Sequence, residues 1–73
     1  MLQRNQPEEA IQDMIGMTEE VGKQFAFDVG YLFRCAKRTI NGKVNLVMMT
    51  MDFRSNRINY EVIDGIITKV WLG

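Results

Sequence analysis

Two kinds of hydrophobic periodicity divide this chain. Up to Val29, apolar residues recur at three- and four-residue steps, which predicts helices, and from Tyr31 onwards they alternate with polar residues, which predicts strands. The helical part begins after Pro7, a residue suited to a first helical turn, and a short helix is expected to end at Gly16. The pattern therefore predicts an α+β domain with its helices before its strands.

A longer helix is predicted from Glu19 to Val29. Thr18 can cap it, and the acidic residues of its first turn are favourable at the positive end of the helix dipole. A glycine inside a helix costs about 1 kcal/mol relative to alanine, so Gly22 either marks a close approach to a sheet or is simply tolerated. We expect the sheet-packing face to carry the apolar residues at four-residue steps, Val21, Phe25 and Val29.

Three strands are predicted after this helix. The first covers Tyr31 to Lys37, and the other two, Arg57 to Ile63 and Ile66 to Leu72, are joined by Asp64-Gly65, a strong signal for a tight hairpin turn. We expect one main helix to pack on a small mixed sheet that contains these strands.

An additional hairpin is predicted between the first strand and the closing pair. Asn41-Gly42 is the strongest short-range hairpin signal in the chain, and residues with high β-propensity lie on both sides of it. Thr39 to Met49 therefore predicts two short strands joined by a tight turn.

The composition narrows the classes of function. The 73 residues suffice for one small domain with a modest core, residues 1–73. Nine basic residues balance nine acidic ones, which argues against general binding to nucleic acid, a process driven by neutralisation of phosphates. Because the chain has one cysteine, Cys35, and no histidine, we expect no internal disulfide, metal or cofactor. No nucleophile with a base is apparent, so an enzyme is not expected.

The sequence also bears on location. The first ten residues lack the apolar core of a signal peptide, and no apolar run approaches the length that a bilayer requires. We therefore expect a cytoplasmic protein that does not associate with membranes.

A specific motif follows the additional hairpin. The segment TMDFRSNR, residues 50–57, resembles the T-x-D-[FYL]-R-x-[ND]-R segment of the potato type I inhibitors of serine proteases, the eglin-like family, and is closer to the bacterial relatives of that family. The likeness continues in DMIG at Asp13 to Gly16, in TEEVGKQF and in the closing VWLG. The connection from Arg38 to Val47 departs from the family, because it is longer here.

The resemblance implies both a scaffold and a binding loop. It implies that the first strand leads to an exposed loop, after which the chain returns as a strand parallel to the first. Met51 would enter the specificity pocket of a chymotrypsin-like or subtilisin-like protease, just before the scissile bond, while Arg54 and Arg57 would support the loop by donating charge-assisted hydrogen bonds to Thr50 and Asp52. The implied protease-binding loop consists of Met49, Thr50, Met51, Asp52 and Phe53.

The same residues also fit a purely structural role. Asp52, Arg54 and Arg57 could form an ion-pair cluster that fixes the entry to a strand, with the neighbouring methionines filling a core or an interface. The extra hairpin favours this interpretation, because a strand that extended to Met51 would not present that side chain to a protease. The apolar residues from Leu46 onwards further predict contact with a partner or with a second copy of the chain.

An alternative function accompanies that structural role. The chain would then be a repurposed scaffold of phage type, which inhibits a host factor or, as an oligomer, sequesters a small anionic, nucleotide-like ligand. The basic residues that could contact such a ligand are Arg34, Lys37, Arg38 and Lys43.

Overall fold

The fold combines one α-helix with a four-stranded mixed sheet across residues 11–47 and 50–73, the part of the chain that the computed structural model describes. A short 3₁₀ helix, Gln12–Met14, precedes the α-helix. The predicted α+β class is therefore confirmed. The α-helix and the strands are α1 (Glu19–Asp28), β1 (Leu32–Ile40), β2 (Lys43–Leu46), β3 (Arg57–Ile63) and β4 (Ile66–Leu72).

The sheet has a parallel pair at its centre. The strand order is β2-β1-β3-β4, in which β1 and β3 are parallel and the two outer pairings are antiparallel. The prediction that the chain returns parallel to its first strand is thus confirmed. Because parallel neighbours cannot be joined by a tight turn, the chain passes through β2 and residues 50–56 before it enters β3.

Both hairpins have the turn residues that their backbones require. Asn41 and Gly42 have φ values of 52° and 79°, and Asp64 and Gly65 have values of 48° and 85°. Positive φ at both central positions is the geometry that Asn-Gly and Asp-Gly favour. The two turns are also joined, since the Asn41 backbone N–H donates to Asp64 Oδ1 at 3.0 Å.

The additional hairpin predicted over Thr39 to Met49 is present. It lengthens the first strand, which reaches Ile40 instead of ending at Lys37, because its second half pairs with β2. The second arm ends at Leu46, so the strand does not extend to Met51.

The beginning of the described chain is only partly helical. Of the predicted short helix, the described portion is the 3₁₀ helix, whose Met14 is fully buried, and the turn ends at Gly16 with a φ of 97°. Pro7 lies outside the described residues.

Helix α1 packs through its smallest residues. Gly22 and Ala26 are buried, and a Cβ atom on Gly22 would overlap Ile67 Cδ1. The interpretation of Gly22 as a point of close approach is confirmed. The predicted apolar stripe is wrong at Val21 and Val29, which are about half exposed, because the close contact centres the packed face on the glycine and turns both valines outward.

The core lies between the helices and one face of the sheet. On β3, Ile58, Tyr60 and Val62 face this core, so the intervening Arg57 and Asn59 must lie on the opposite face, where both are nevertheless buried. No helix among the described residues combines the length and apolar character needed to cross a membrane. The buried cluster consists of Ile11, Met14, Ala26, Ile58, Tyr60, Val62, Ile67 and Val70.

The close helix-to-sheet contact predicts that Gly22→Ala destabilises the protein, although alanine is the better helix former. Overpacking against Ile67 costs about 1–3 kcal/mol, whereas the gain in helix propensity is about 1 kcal/mol. In an Ile67→Val background, which lacks the Cδ1 atom, the same substitution should become less harmful or stabilising. Urea unfolding of the four proteins measures this coupling. Additive effects would show that contact with Ile67 does not exclude alanine.

Candidate functional site

Residues 50–56, named the Met51 loop here, lead into β3 without joining the sheet. The Met51 side chain is fully exposed (101 %), and Phe53 is 73 % exposed. Single exposed apolar residues are common on protein surfaces and carry no meaning alone. The significance of Met51 depends on how its two neighbours, Thr50 and Asp52, are held.

Asp52, directly after Met51, is bound through both its side chain and its backbone. The Thr50 hydroxyl donates to Asp52 Oδ1, and Arg54 Nε donates to Asp52 Oδ2 at 3.1 Å. Arg57 Nη1 lies 3.6 Å from Asp52 Oδ2, and Arg57 Nη2 donates to the Asp52 backbone oxygen at 2.8 Å. The residue on the C-terminal side of Met51 is therefore attached to the body of the protein.

Arg57 connects the loop to the end of the last strand. Its guanidinium is largely buried, and its Nε donates to the backbone oxygen of Gly73 at 2.8 Å. The Gly73 N–H in turn donates to the Arg57 backbone oxygen at 3.1 Å. A buried charge requires such partners. Because Arg57 finds them on both sides, it fixes the loop against β4.

Thr50, directly before Met51, has a partner that the sequence did not indicate. Arg54 and Arg57 were expected to donate to both Thr50 and Asp52, but within the Met51 loop their side chains donate to Asp52. The Thr50 hydroxyl accepts instead from Arg34 Nη1 of β1, at 3.1 Å. Arg34, predicted as a contact for an anionic ligand, therefore contacts the Met51 loop.

Asn59 is a second residue that sequence reasoning missed. It is fully buried, and its Oδ1 accepts from Arg34 Nε at 2.8 Å. The only signal in the sequence is an amide at an alternating position of a strand, which most often faces solvent. The contact itself follows from the parallel register, in which Arg34 lies beside Asn59.

The other three residues predicted to contact an anionic ligand differ in their surroundings. Arg38 bonds to Glu19 at the start of α1, and Lys37 Nζ lies 3.8 Å from a carboxylate oxygen of Glu61. Lys43 is exposed at the start of β2. Two of the predicted basic residues therefore lie beside acidic side chains. Among residues 11–47 and 50–73, no group of acidic or cysteine side chains could hold a metal ion.

The Glu19 carboxylate joins a small polar network at the edge of the core. Besides its contact with Arg38, it accepts a hydrogen bond from the Tyr60 hydroxyl, whose ring stacks on Phe33 with the centroids 4.0 Å apart. The pKa of Tyr60 is raised above its ordinary value, mainly by burial and to a lesser extent by this hydrogen bond. The network attaches α1 to the parallel strands.

The predicted partner-contact stretch is described only in part. Leu46 is 77 % exposed and Val47 is also exposed. Met48 and Met49 lie outside the described residues. The prediction that Met49 belongs to the protease-binding loop therefore falls outside them as well. Contact of this stretch with a partner or a second copy stays a prediction.

Comparison of the chain with protein-family models, with curated proteins and with solved structures gave no match. The resemblance to the eglin-like inhibitors therefore stays a prediction.

The bonds around Asp52 predict an unusually acidic carboxyl group. The pKa of Asp52 is held well below its ordinary value, mainly by the hydrogen bond from Thr50 and next by the hydrogen bond from Arg54. Because the folded pKa is depressed, this contribution to stability is present above the unfolded pKa of about 3.9 and is lost as the pH falls through the folded pKa. A carboxyl-detected NMR titration should find Asp52 ionised well below pH 3.9.

The variant Arg54→Ala supplies the comparison for this titration. Loss of the Arg54 hydrogen bond should raise the midpoint of Asp52 toward the ordinary value. A wild-type midpoint already near 3.9 would show that the carboxylate is not held in solution.

Proposed function

We propose that this chain is a small non-catalytic binding protein that presents the Met51 loop to a serine protease. Met51 enters the specificity pocket, and the Met51–Asp52 peptide bond lies where a substrate is cleaved. The observation that carries this proposal is the full exposure of Met51 directly before a residue whose carboxylate and backbone oxygen are both held by arginines. The similarity of TMDFRSNR to the inhibitor motif supports it independently.

Rigid presentation is the physical basis of the proposed inhibition. A flexible substrate loses conformational entropy when a protease orders it, whereas a loop that is already ordered loses little and binds more tightly. The hydrogen bonds of Arg57 to Asp52 and to Gly73 provide this order from a buried position. If the Met51–Asp52 bond is cleaved, the same contacts keep Asp52 in place and delay its departure.

The chemistry of the loop indicates the class of target. Met51 is long, unbranched and apolar, so it fits a deep apolar pocket of the chymotrypsin-like or subtilisin-like kind. The exposed Phe53 can contact an apolar surface beside that pocket. The Asp52 carboxylate is engaged by Thr50 and Arg54 and is not directed at the protease.

The alternative proposal of a small anionic ligand has less support. It requires several basic residues that bind one ligand together, but Arg34 donates a hydrogen bond to Thr50 of the Met51 loop and Arg38 pairs with Glu19 at the start of α1. A protein target other than a protease, such as a host factor, would use the same exposed loop. It becomes the leading proposal if no serine protease is inhibited.

Substitution of Met51 tests the identity of the pocket residue. Met51→Lys should weaken inhibition of chymotrypsin and subtilisin by more than about 100-fold, because a lysine ammonium without a partner is costly to bury in an apolar pocket. It should also create inhibition of trypsin. Phe27→Lys is the matched control, since Phe27 is also apolar and exposed but lies on α1. Equal inhibition constants for Met51→Lys and wild type would exclude Met51 as the pocket residue.

Substitution of Arg57 tests whether the hold on the loop produces inhibition. Each charge-assisted hydrogen bond contributes about 1.5–3 kcal/mol, so Arg57→Ala should convert the inhibitor into a substrate that is cleaved between Met51 and Asp52 within minutes. Mass spectrometry of the mixture with protease follows this cleavage.

The control for Arg57→Ala is a variant of reduced stability with an intact loop. Ile67→Val removes one buried methyl group from the core and costs about 0.5–1.5 kcal/mol, so it should remain a lasting inhibitor. An Arg57→Ala protein that melts at a lower temperature yet inhibits as durably as wild type would make Arg57 purely structural.

A further inference from the structure

Thr50, the residue that precedes Met51, is held by its own set of hydrogen bonds. Arg34 Nη1 donates to Thr50 Oγ1 at 3.1 Å, and Arg34 Nε donates to Asn59 Oδ1 at 2.8 Å. A guanidinium is planar and rigid, so the bond at Nε also determines where Nη1 points. Thr50 uses its own hydrogen for Asp52. A continuous series of hydrogen bonds therefore runs from β3 through β1 to both neighbours of Met51.

The burial of Asn59 is otherwise difficult to explain. The residue is fully buried on the sheet face opposite the helix, and within the described chain its Nδ2 has no hydrogen-bond partner. A buried donor without a partner is costly, so an apolar residue would serve a merely structural strand better. An amide oxygen at this position orients Arg34, which an apolar side chain could not do.

We propose that Arg34 is a positioning residue of the Met51 loop, oriented by the buried Asn59 and acting through the Thr50 hydroxyl. Arg54 and Arg57 hold the residue after Met51, whereas Arg34 holds the residue before it, so the two sides are fixed from different strands. This inference rests on the proposed function, because the fixed segment is the one offered to the protease.

The test compares Arg34→Ala and Arg34→Lys with wild type. Lysine keeps the charge but lacks the planar fork, so it cannot bridge Thr50 and Asn59 as arginine does. Both variants should be cleaved at Met51–Asp52 by subtilisin about tenfold faster than wild type, as expected for the loss of one charge-assisted hydrogen bond. Lys69→Ala, which removes an exposed charge from β4, should be cleaved at the wild-type rate.

A second measurement does not depend on any protease. If Arg34 orients the Thr50 hydroxyl, both Arg34 variants should raise the NMR titration midpoint of the Asp52 carboxyl, which faces Thr50, Arg54 and Arg57. The lysine variant separates loss of orientation from loss of charge. Lys69→Ala should leave the midpoint unchanged.

The outcomes separate this inference from the proposed function. If wild type inhibits and the Arg34 variants are cleaved at its rate, the positioning role is overturned. If wild type inhibits no serine protease, the proposed function fails, and the titration midpoint of Asp52 alone decides whether Arg34 positions the loop. A rise in both variants then supports the role of Arg34, and an unchanged midpoint overturns it. Should Arg34→Ala not fold, Arg34→Lys alone must accelerate cleavage or raise the midpoint, and failure to do either overturns the inference.

Discussion

The parallel pairing of β1 with β3 is the constraint on which the rest of the structure depends. Parallel neighbours must be entered from the same end of the sheet, so the chain has to leave β1, travel back and re-enter. The return path contains the β2 hairpin arm and the Met51 loop. The same pairing places Arg34 beside Asn59. The strand order therefore creates the loop and also brings together the residues that hold it.

The two faces of the sheet bury different kinds of side chain. One face is apolar and buried against the helices, with Gly22 allowing α1 to approach closely. The other face contains buried polar groups, Arg57 and Asn59: the Arg57 side chain donates to the loop and to the end of β4, and Asn59 Oδ1 accepts from Arg34 of β1. Buried polar groups tolerate few alternative arrangements, because each misplaced partner is costly. A polar layer of this kind fixes the position of a loop more narrowly than apolar packing would.

Local chemistry allowed much of this structure to be predicted. Asn41-Gly42 and Asp64-Gly65 specify their turns through backbone geometry alone, so both hairpins followed from the sequence. The contacts of Asp52 with Arg54 and Arg57 lie within a few residues and were anticipated from the motif. The orientation of α1 was not, because Val21 and Val29 satisfy helical periodicity as well as Gly22 and Ala26 do. Arg34 and Asn59 lie 25 positions apart and meet only through the strand register, which no local pattern reveals.

The separation of Arg34 and Asn59 along the chain also bears on the order of folding. Each hairpin closes a two-residue turn, whereas the β1 and β3 pairing must first close a loop that includes β2, at a greater cost in chain entropy. The hairpins are therefore expected to form early and the central pairing late. The bonds that Arg54 and Arg57 make to Asp52 and Gly73 lie within the loop and the β3-β4 hairpin, whereas the bond from Arg34 to Thr50 requires β1 to lie beside β3. A molecule that has formed its hairpins but not joined them would hold Asp52 and leave Thr50 without Arg34, so an ordered residue before Met51 shows that the central pairing has formed.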